Sequence, residues 1–161
     1  MLTEIDNRLI GHWRIIAHEA VVGRVLQVVG GIPNDVVQFD ERGRYTIVTD
    51  PDQPMKYRYR CDSTRDPATI DLWMSNPKFF TLGVYRFDQD ELVMCLAADW
   101  ADRPDQFDRT RDPKWVLRKY VRCEAPKPRK RRTRAKPLTE PGSLIPTDWL
   151  KKPKSGGPAA V

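Results

Sequence analysis

Met55-Lys56-Tyr57-Arg58-Tyr59-Arg60-Cys61-Asp62 is the stretch that decides the fold class of this chain. Apolar or aromatic residues at 55, 57, 59 and 61 alternate without a break with charged residues at 56, 58, 60 and 62. A period of two places successive side chains on opposite faces of an extended strand, one face apolar and the other ionic. A helix would mix the two sets.

Working outward, the same pattern recurs between turn signals. Val36 to Phe39 and Arg44 to Thr49 flank Asp40-Glu41-Arg42-Gly43, a short hairpin with glycine where positive φ is cheap. Ala68 to Met74 follows the Asp66-Pro67 turn, and Asp88-Gln89-Asp90 joins Thr81–Phe87 to Glu91–Ala97. His12 to Glu19 precedes this set and Trp115 to Arg122 closes it. Eight short strands without interleaved helices predict an all-β antiparallel sandwich or barrel. Eight strands can also close on themselves, which removes exposed edges. Leu92, Met94 and Leu96 face one way and Val93, Cys95 and Ala97 the other, so both faces of that strand are expected to be covered.

Two further elements are expected. Thr3-Glu4-Ile5-Asp6 has the form of a capping box, and Leu2, Ile5 and Leu9 recur at helical spacing, which predicts a short N-terminal helix ending before Gly11. Ala98 to Lys114 is a long loop carrying Asp99, Asp102, Asp105, Asp108 and Asp112 among Arg103, Arg109 and Arg111. It has no glycine and lacks the tight ligand spacing of a calcium loop, so a self-neutralising surface loop is the better reading.

The 161 residues carry 28 Lys+Arg and 22 Asp+Glu, net +6. The excess is local: residues 1–123 hold 18 basic and 19 acidic side chains, residues 124–161 hold 10 and 3. The expected organisation is therefore a barrel domain over 1–123 and a basic, proline-rich, disordered tail over 124–161. Pro126 to Pro137 has seven cations in twelve residues. That run suits phosphate contact with nucleic acid or equally a solubilising extension, while Trp149 sits in an apolar island suited to a protein partner. No apolar run is long enough for a membrane span. The start has no secretory pattern, and Cys61, Cys95 and Cys123 have no C-x-x-C spacing, so a cytoplasmic protein with reduced thiols is expected.

Several short motifs then agree with one another. They are Gly11-His12-Trp13, Phe39 with Gly43-x-Tyr45-Thr46, Asp66-Pro67-Ala68-Thr69-Ile70-Asp71, Gly83-Val84-Tyr85-Arg86-Phe87-Asp88 with Leu92 and Cys95, and Arg103-Pro104-x-x-Phe107. In this order, from about Leu9 to Arg122, the chain resembles an uncharacterised lipocalin-like, calycin-type domain family known mainly from planctomycetes. The resemblance implies a small eight-stranded antiparallel β-barrel with no assigned activity. It also implies structural roles for Gly11, Trp13, Asp71, Gly83, Tyr85, Cys95, Arg103, Pro104 and Phe107. A cation–π contact of Trp13 with an arginine of the last strand follows too, with Arg118 and Arg122 both eligible. Arg103 is expected to pair with a core carboxylate and Phe107 to plug a gap. Two departures stand out: Gln89 replaces the usual hairpin glycine, and Val21 to Ile32 lacks the usual charges.

The chemistry that can be read is that of binding. There is no G-x-S-x-G, H-E-x-x-H or P-loop, so the chain is expected to be non-catalytic and without cofactor. His12 and His18 share a face of a regular strand but lie about 20 Å apart along it, too far to share a metal. The leading expectation is a binding module for a small hydrophobic or amphipathic ligand, with Tyr57, Tyr59 and Tyr85 lining the interior. Arg58 and Arg60 could pair with a ligand carboxylate if they faced inward; alternating cations on a strand are more often a solvated outer face. The alternative is a protein-interaction or nucleic-acid-associating domain that works through its tail, with the barrel filled by its own side chains.

Overall fold

The computed structural model describes residues 5–21, 30–74, 80–98 and 100–128. Eight strands form in chain order: β1 Gly11–Glu19, β2 Val36–Phe39, β3 Arg44–Ile47, β4 Met55–Asp62, β5 Ala68–Trp73, β6 Phe80–Asp88, β7 Glu91–Ala97 and β8 Trp115–Arg122. Each pairs antiparallel with its neighbour, and β8 returns to β1, so the sheet closes as an up-and-down barrel. Closure matters energetically because no row of backbone N–H and C=O groups is left without a ladder partner.

Alternation becomes inside and outside. In β4, Tyr57, Tyr59 and Cys61 are buried and Lys56, Arg58 and Arg60 are exposed. The interior is dense with aromatics. Trp13, Phe39 and all five tyrosines of the chain (Tyr45, Tyr57, Tyr59, Tyr85 and Tyr120) belong to one buried cluster. Phe39 sits edge-on to Tyr45 and Tyr59 at centroid distances of 4.8 and 5.0 Å, the arrangement ring quadrupoles favour. Gly83 makes room for this packing, because a Cβ there would lie 2.6 Å from Leu96 Cδ2 and 2.9 Å from the Cys95 carbonyl.

A second cluster lies outside the barrel. Val84, Cys95, Ala97 and Trp115 are covered by Ala101, Phe107 and Leu117. The long loop thus packs its apolar residues on the outer face of β6, β7 and β8, which is why β7 is apolar on both sides. Within it, Arg109–Arg111 form one 3-10 turn capped by the Asp108 side chain.

The expected N-terminal helix does not form in the described residues. Residues 5–10 instead make a tight turn, with Leu9 N donating to Asp6 O (2.9 Å) and Ile10 N to Asn7 O (3.3 Å). Asp6 spends its carboxylate on the amide and guanidinium of Arg8, a local bond that competes with helix propagation. Gly11 follows at φ +130°, and too few residues remain to offset the cost of helix nucleation. The expected cap at Thr3-Glu4 and the cations Arg129 to Lys154 lie outside the described residues. No helix among the described residues is long and apolar enough to cross a membrane.

Candidate functional site

The two barrel ends differ in chemistry. At the Trp13 end, residues 5–10 fold across the interior, burying Leu9, and Trp13 Nε1 donates to Leu9 O (2.8 Å). Arg122 lies 4.3 Å from the Trp13 ring centroid and donates to Ile10 O (3.0 Å) and Arg8 O (2.5 Å). Arg122, then, is the arginine that meets Trp13; the β1–β8 register pairs the two directly. Beneath the turn, buried Asp6 accepts from Tyr85 Oη (2.9 Å) and from Arg8 (2.8 and 3.0 Å), while its own amide donates to Cys61 Sγ (3.4 Å). Burial alone would raise the Asp6 pKa, but the hydrogen bonds from Arg8 and Tyr85 outweigh it and hold the carboxyl below its ordinary value. Clefts of about 410 and 400 Å³ lie outside this end and share Arg8 and Phe87.

The other end is polar inside. Here β1 changes face. A bulge between Ile15 and Ala17 shifts the register, so Trp13 and Ile15 point inward, Ile16 is exposed, and His18 comes opposite Arg118. His12 and His18 therefore do not share a face, contrary to the expectation from regular alternation. Arg118, 1% exposed, donates from Nε to His18 Nδ1 (3.0 Å) and from Nη1 to Gly30 O. An accepting Nδ1 requires neutral imidazole; burial first, then the Arg118 charge, push the His18 pKa below its usual value. Tyr45 Oη also donates to Gly30 O (2.9 Å). Gly30 reaches this depth at φ +87°, where a Cβ would stand 2.4 Å from Tyr45 Cε1. Burial raises the Tyr45 pKa well above its ordinary value, with Tyr120 adding to the shift and Arg118 opposing it. Arg118 likewise opposes the burial-driven rise of Tyr57. Tyr120 Oη is fully buried beside Tyr45, whose pKa it helps to raise, and makes no hydrogen bond of good geometry among the described residues.

The sequence-derived candidates divide accordingly. Tyr57, Tyr59 and Tyr85 project into the barrel, but only Tyr57 lies near Arg118, while Tyr85 belongs to the Asp6 cluster. Arg58 and Arg60 are on the outer face, because the period-two pattern commits them opposite Tyr57 and Tyr59. They do not point at an interior ligand. Arg60 Nε lies 2.7 Å from Asp71 Oδ2. Arg103 Nη2 holds the other oxygen at 2.6 Å, and its Nη1 donates to Gly83 O (2.8 Å). Pro104 is buried, and Phe107 packs beneath Arg86 and against the cluster around Cys95. Burial pushes the Cys95 thiol up to about 12, which leaves it un-ionised. Gly11 and Gly83 serve close packing, with a Gly11 Cβ falling 2.7 Å from Arg122 Nη1. Residue-by-residue reading missed His18, Gly30, Tyr45 and Tyr120 as site members. The shared face of Arg118 and Tyr120 was legible, but the bulge that brings His18 to them was not.

Among the described residues no group of three or more His, Cys, Asp or Glu side chains could hold a metal. In comparisons with protein families, curated proteins and solved structures, the chain matches none.

Proposed function

We propose that this protein is a non-catalytic, lipocalin-like binding module for a small amphipathic molecule with an anionic head. The head would be taken at the Arg118 end by the Arg118 guanidinium and the hydroxyls of Tyr57 and Tyr120. One observation carries the reading. Among the described residues Tyr120 Oη makes no hydrogen bond of good geometry; it lies fully buried beside Tyr45, two residues from Arg118 on the same face of β8. Buried polar atoms are rarely left without a partner, and an acceptor that arrives with a ligand would satisfy it. A carboxylate offers up to four lone-pair sites and forms charge-assisted bonds with a guanidinium, so one head group serves both donors. The resemblance of Leu9 to Arg122 to lipocalin-like domains supports the same reading.

Thermal unfolding of the full chain with octanoate tests it. Ligand at about 100-fold Kd adds roughly 2.7 kcal/mol, which for a chain of this size raises Tm by about 5–10 °C. Tyr57→Phe and Arg118→Gln should each weaken the shift, while Arg58→Gln leaves it intact. Should hexanoate, octanoate and decanoate all leave Tm and the NMR spectrum of the barrel unchanged, the proposal fails and the barrel is a filled scaffold.

A further inference from the structure

On the outer wall, the register builds one continuous cross-strand row. Arg44 of β3 lies opposite Arg58 of β4, Arg58 opposite Trp73 of β5, and Trp73 opposite Phe80 of β6. Four neighbouring strands thus present two cations followed by two aromatics over three inter-strand spacings, about 14 Å. Lys56 flanks the row on β4, two residues from Arg58. Arg44, Lys56 and Arg58 are exposed, and none forms an ion pair among the described residues. Asp40 Oδ1, at the Arg44 end, accepts from the amides of Arg42 and Arg44 at 2.9 Å each. Trp73 and Phe80 lie 5.7 Å apart at 36°, with Phe80 38% exposed.

Like charges directly opposite each other in a sheet are destabilising, and this pair has no carboxylate between its members. The neighbouring pair shows the contrast: Arg60 faces Asp71, and the two are joined at 2.7 Å. An anion laid across Arg44 and Arg58 would relieve the repulsion. A carboxylate-rich peptide could do so as well, but it has no use for a half-buried Trp73 ring and an exposed Phe80 ring at the same height. Phosphates followed by bases do. We infer that the outer face of β3–β6 is a binding surface for single-stranded nucleic acid, with backbone phosphates on Arg44, Lys56 and Arg58 and bases stacking on Trp73 and Phe80. Duplex is excluded from the stacking half, since its bases are already stacked on one another. The row lies on the outside of the wall, so this binding is independent of any ligand in the barrel.

The test uses the full chain with fluorescein-labelled oligothymidylate and an equivalent duplex, followed by anisotropy across a salt series. The double variant Arg44→Gln/Arg58→Gln should weaken single-strand binding at least tenfold and reduce the salt slope by about 1.4, two phosphate contacts' worth. Trp73→Leu should weaken the single strand by about fivefold or more, leave the slope unchanged and spare the duplex. Equal Tm values for both variants and the parent keep misfolding from imitating the result; Arg58→Gln alone, with half the slope change, is the fallback. Unchanged affinity in the double variant overturns the inference and assigns any binding to the tail cations. Poly-glutamate that competes as well as oligothymidylate also overturns it, in favour of an acidic protein partner.

Discussion

Asp71 offers a sharp test of how burial, and not distance, sets the worth of an ion pair. Arg60 and Arg103 approach its two oxygens at 2.7 and 2.6 Å, so by distance alone they are equivalent. Their surroundings differ: the Arg60 side chain is 56% exposed, that of Arg103 29%, and the shared carboxylate 6%. Replacing Arg60 by Ala removes a solvent-screened contact worth about 0–1 kcal/mol. Replacing Arg103 by Ala removes the ion-pair contact to a buried carboxylate, worth about 1.5–3 kcal/mol, and the donor to Gly83 O, worth another 0.5–1.5 kcal/mol. The Arg103→Ala variant should therefore lose about 2–4.5 kcal/mol, or roughly 4–18 °C in Tm, and Arg60→Ala no more than about 4 °C. Urea titration at constant m measures the difference. Hydrogen exchange adds a local readout, because Arg103 ties the long loop to β5 and β6: backbone amides of Ala98, Ala101, Arg111 and Trp115 should lose protection in Arg103→Ala first. Equal costs for the two alanine variants, or a larger cost at Arg60, would show that burial does not govern this site.

Three further outcomes follow from other residues. Gln89 holds φ +54° in the β6–β7 hairpin, a conformation costing a side-chain-bearing residue about 1–2 kcal/mol, so Gln89→Gly should raise stability by about 0.5–1 kcal/mol in urea; a loss would mean that the side chain contributes contacts of its own. The lowered Asp6 pKa means that the folded state binds fewer protons than the unfolded one. Its stabilisation is complete above the ordinary aspartate value near 3.9 and disappears as pH falls toward the lower folded value. Asp6→Asn should accordingly be less stable at neutral pH and show a shallower acid limb in Tm against pH; an unchanged limb would remove Asp6 from the account. Cys95, with its thiol pushed up to about 12 under the loop, should resist a disulfide reagent at pH 8 in the folded protein and react on unfolding, and prompt reaction would mean that the loop does not seal it.

The local pattern carried most of the architecture. Strict alternation in Met55–Asp62, the turn at Asp40–Gly43 and the two-faced apolarity of Glu91–Ala97 each report on residues a few positions apart, and a period of two needs no knowledge of the partner strand. The same alternation placed Tyr57 and Tyr59 together on one face of β4 and Arg58 and Arg60 on the other. The N-terminal turn went the other way: its helical spacing was genuine, but Asp6 had stronger uses for its carboxylate in Arg8 and Tyr85, the latter 79 residues away.

What the sequence by itself determined, then, was the set of strands, their turns and the division of each strand into two faces, because all three are consequences of backbone geometry within one segment. What only the tertiary structure decided was height and closure. Arg118 and Arg122 occupy the same face of β8, and no periodicity separates them; the pairing of β8 with β1 gives Arg122 to Trp13 and Arg118 to His18. The single bulge at Ile15–Ala17 turns His18 inward, and three registers set in series align Arg44 with Phe80 across the outer wall. Registers are set by contacts between residues distant in sequence, so both candidate surfaces of this protein exist only once the barrel has closed.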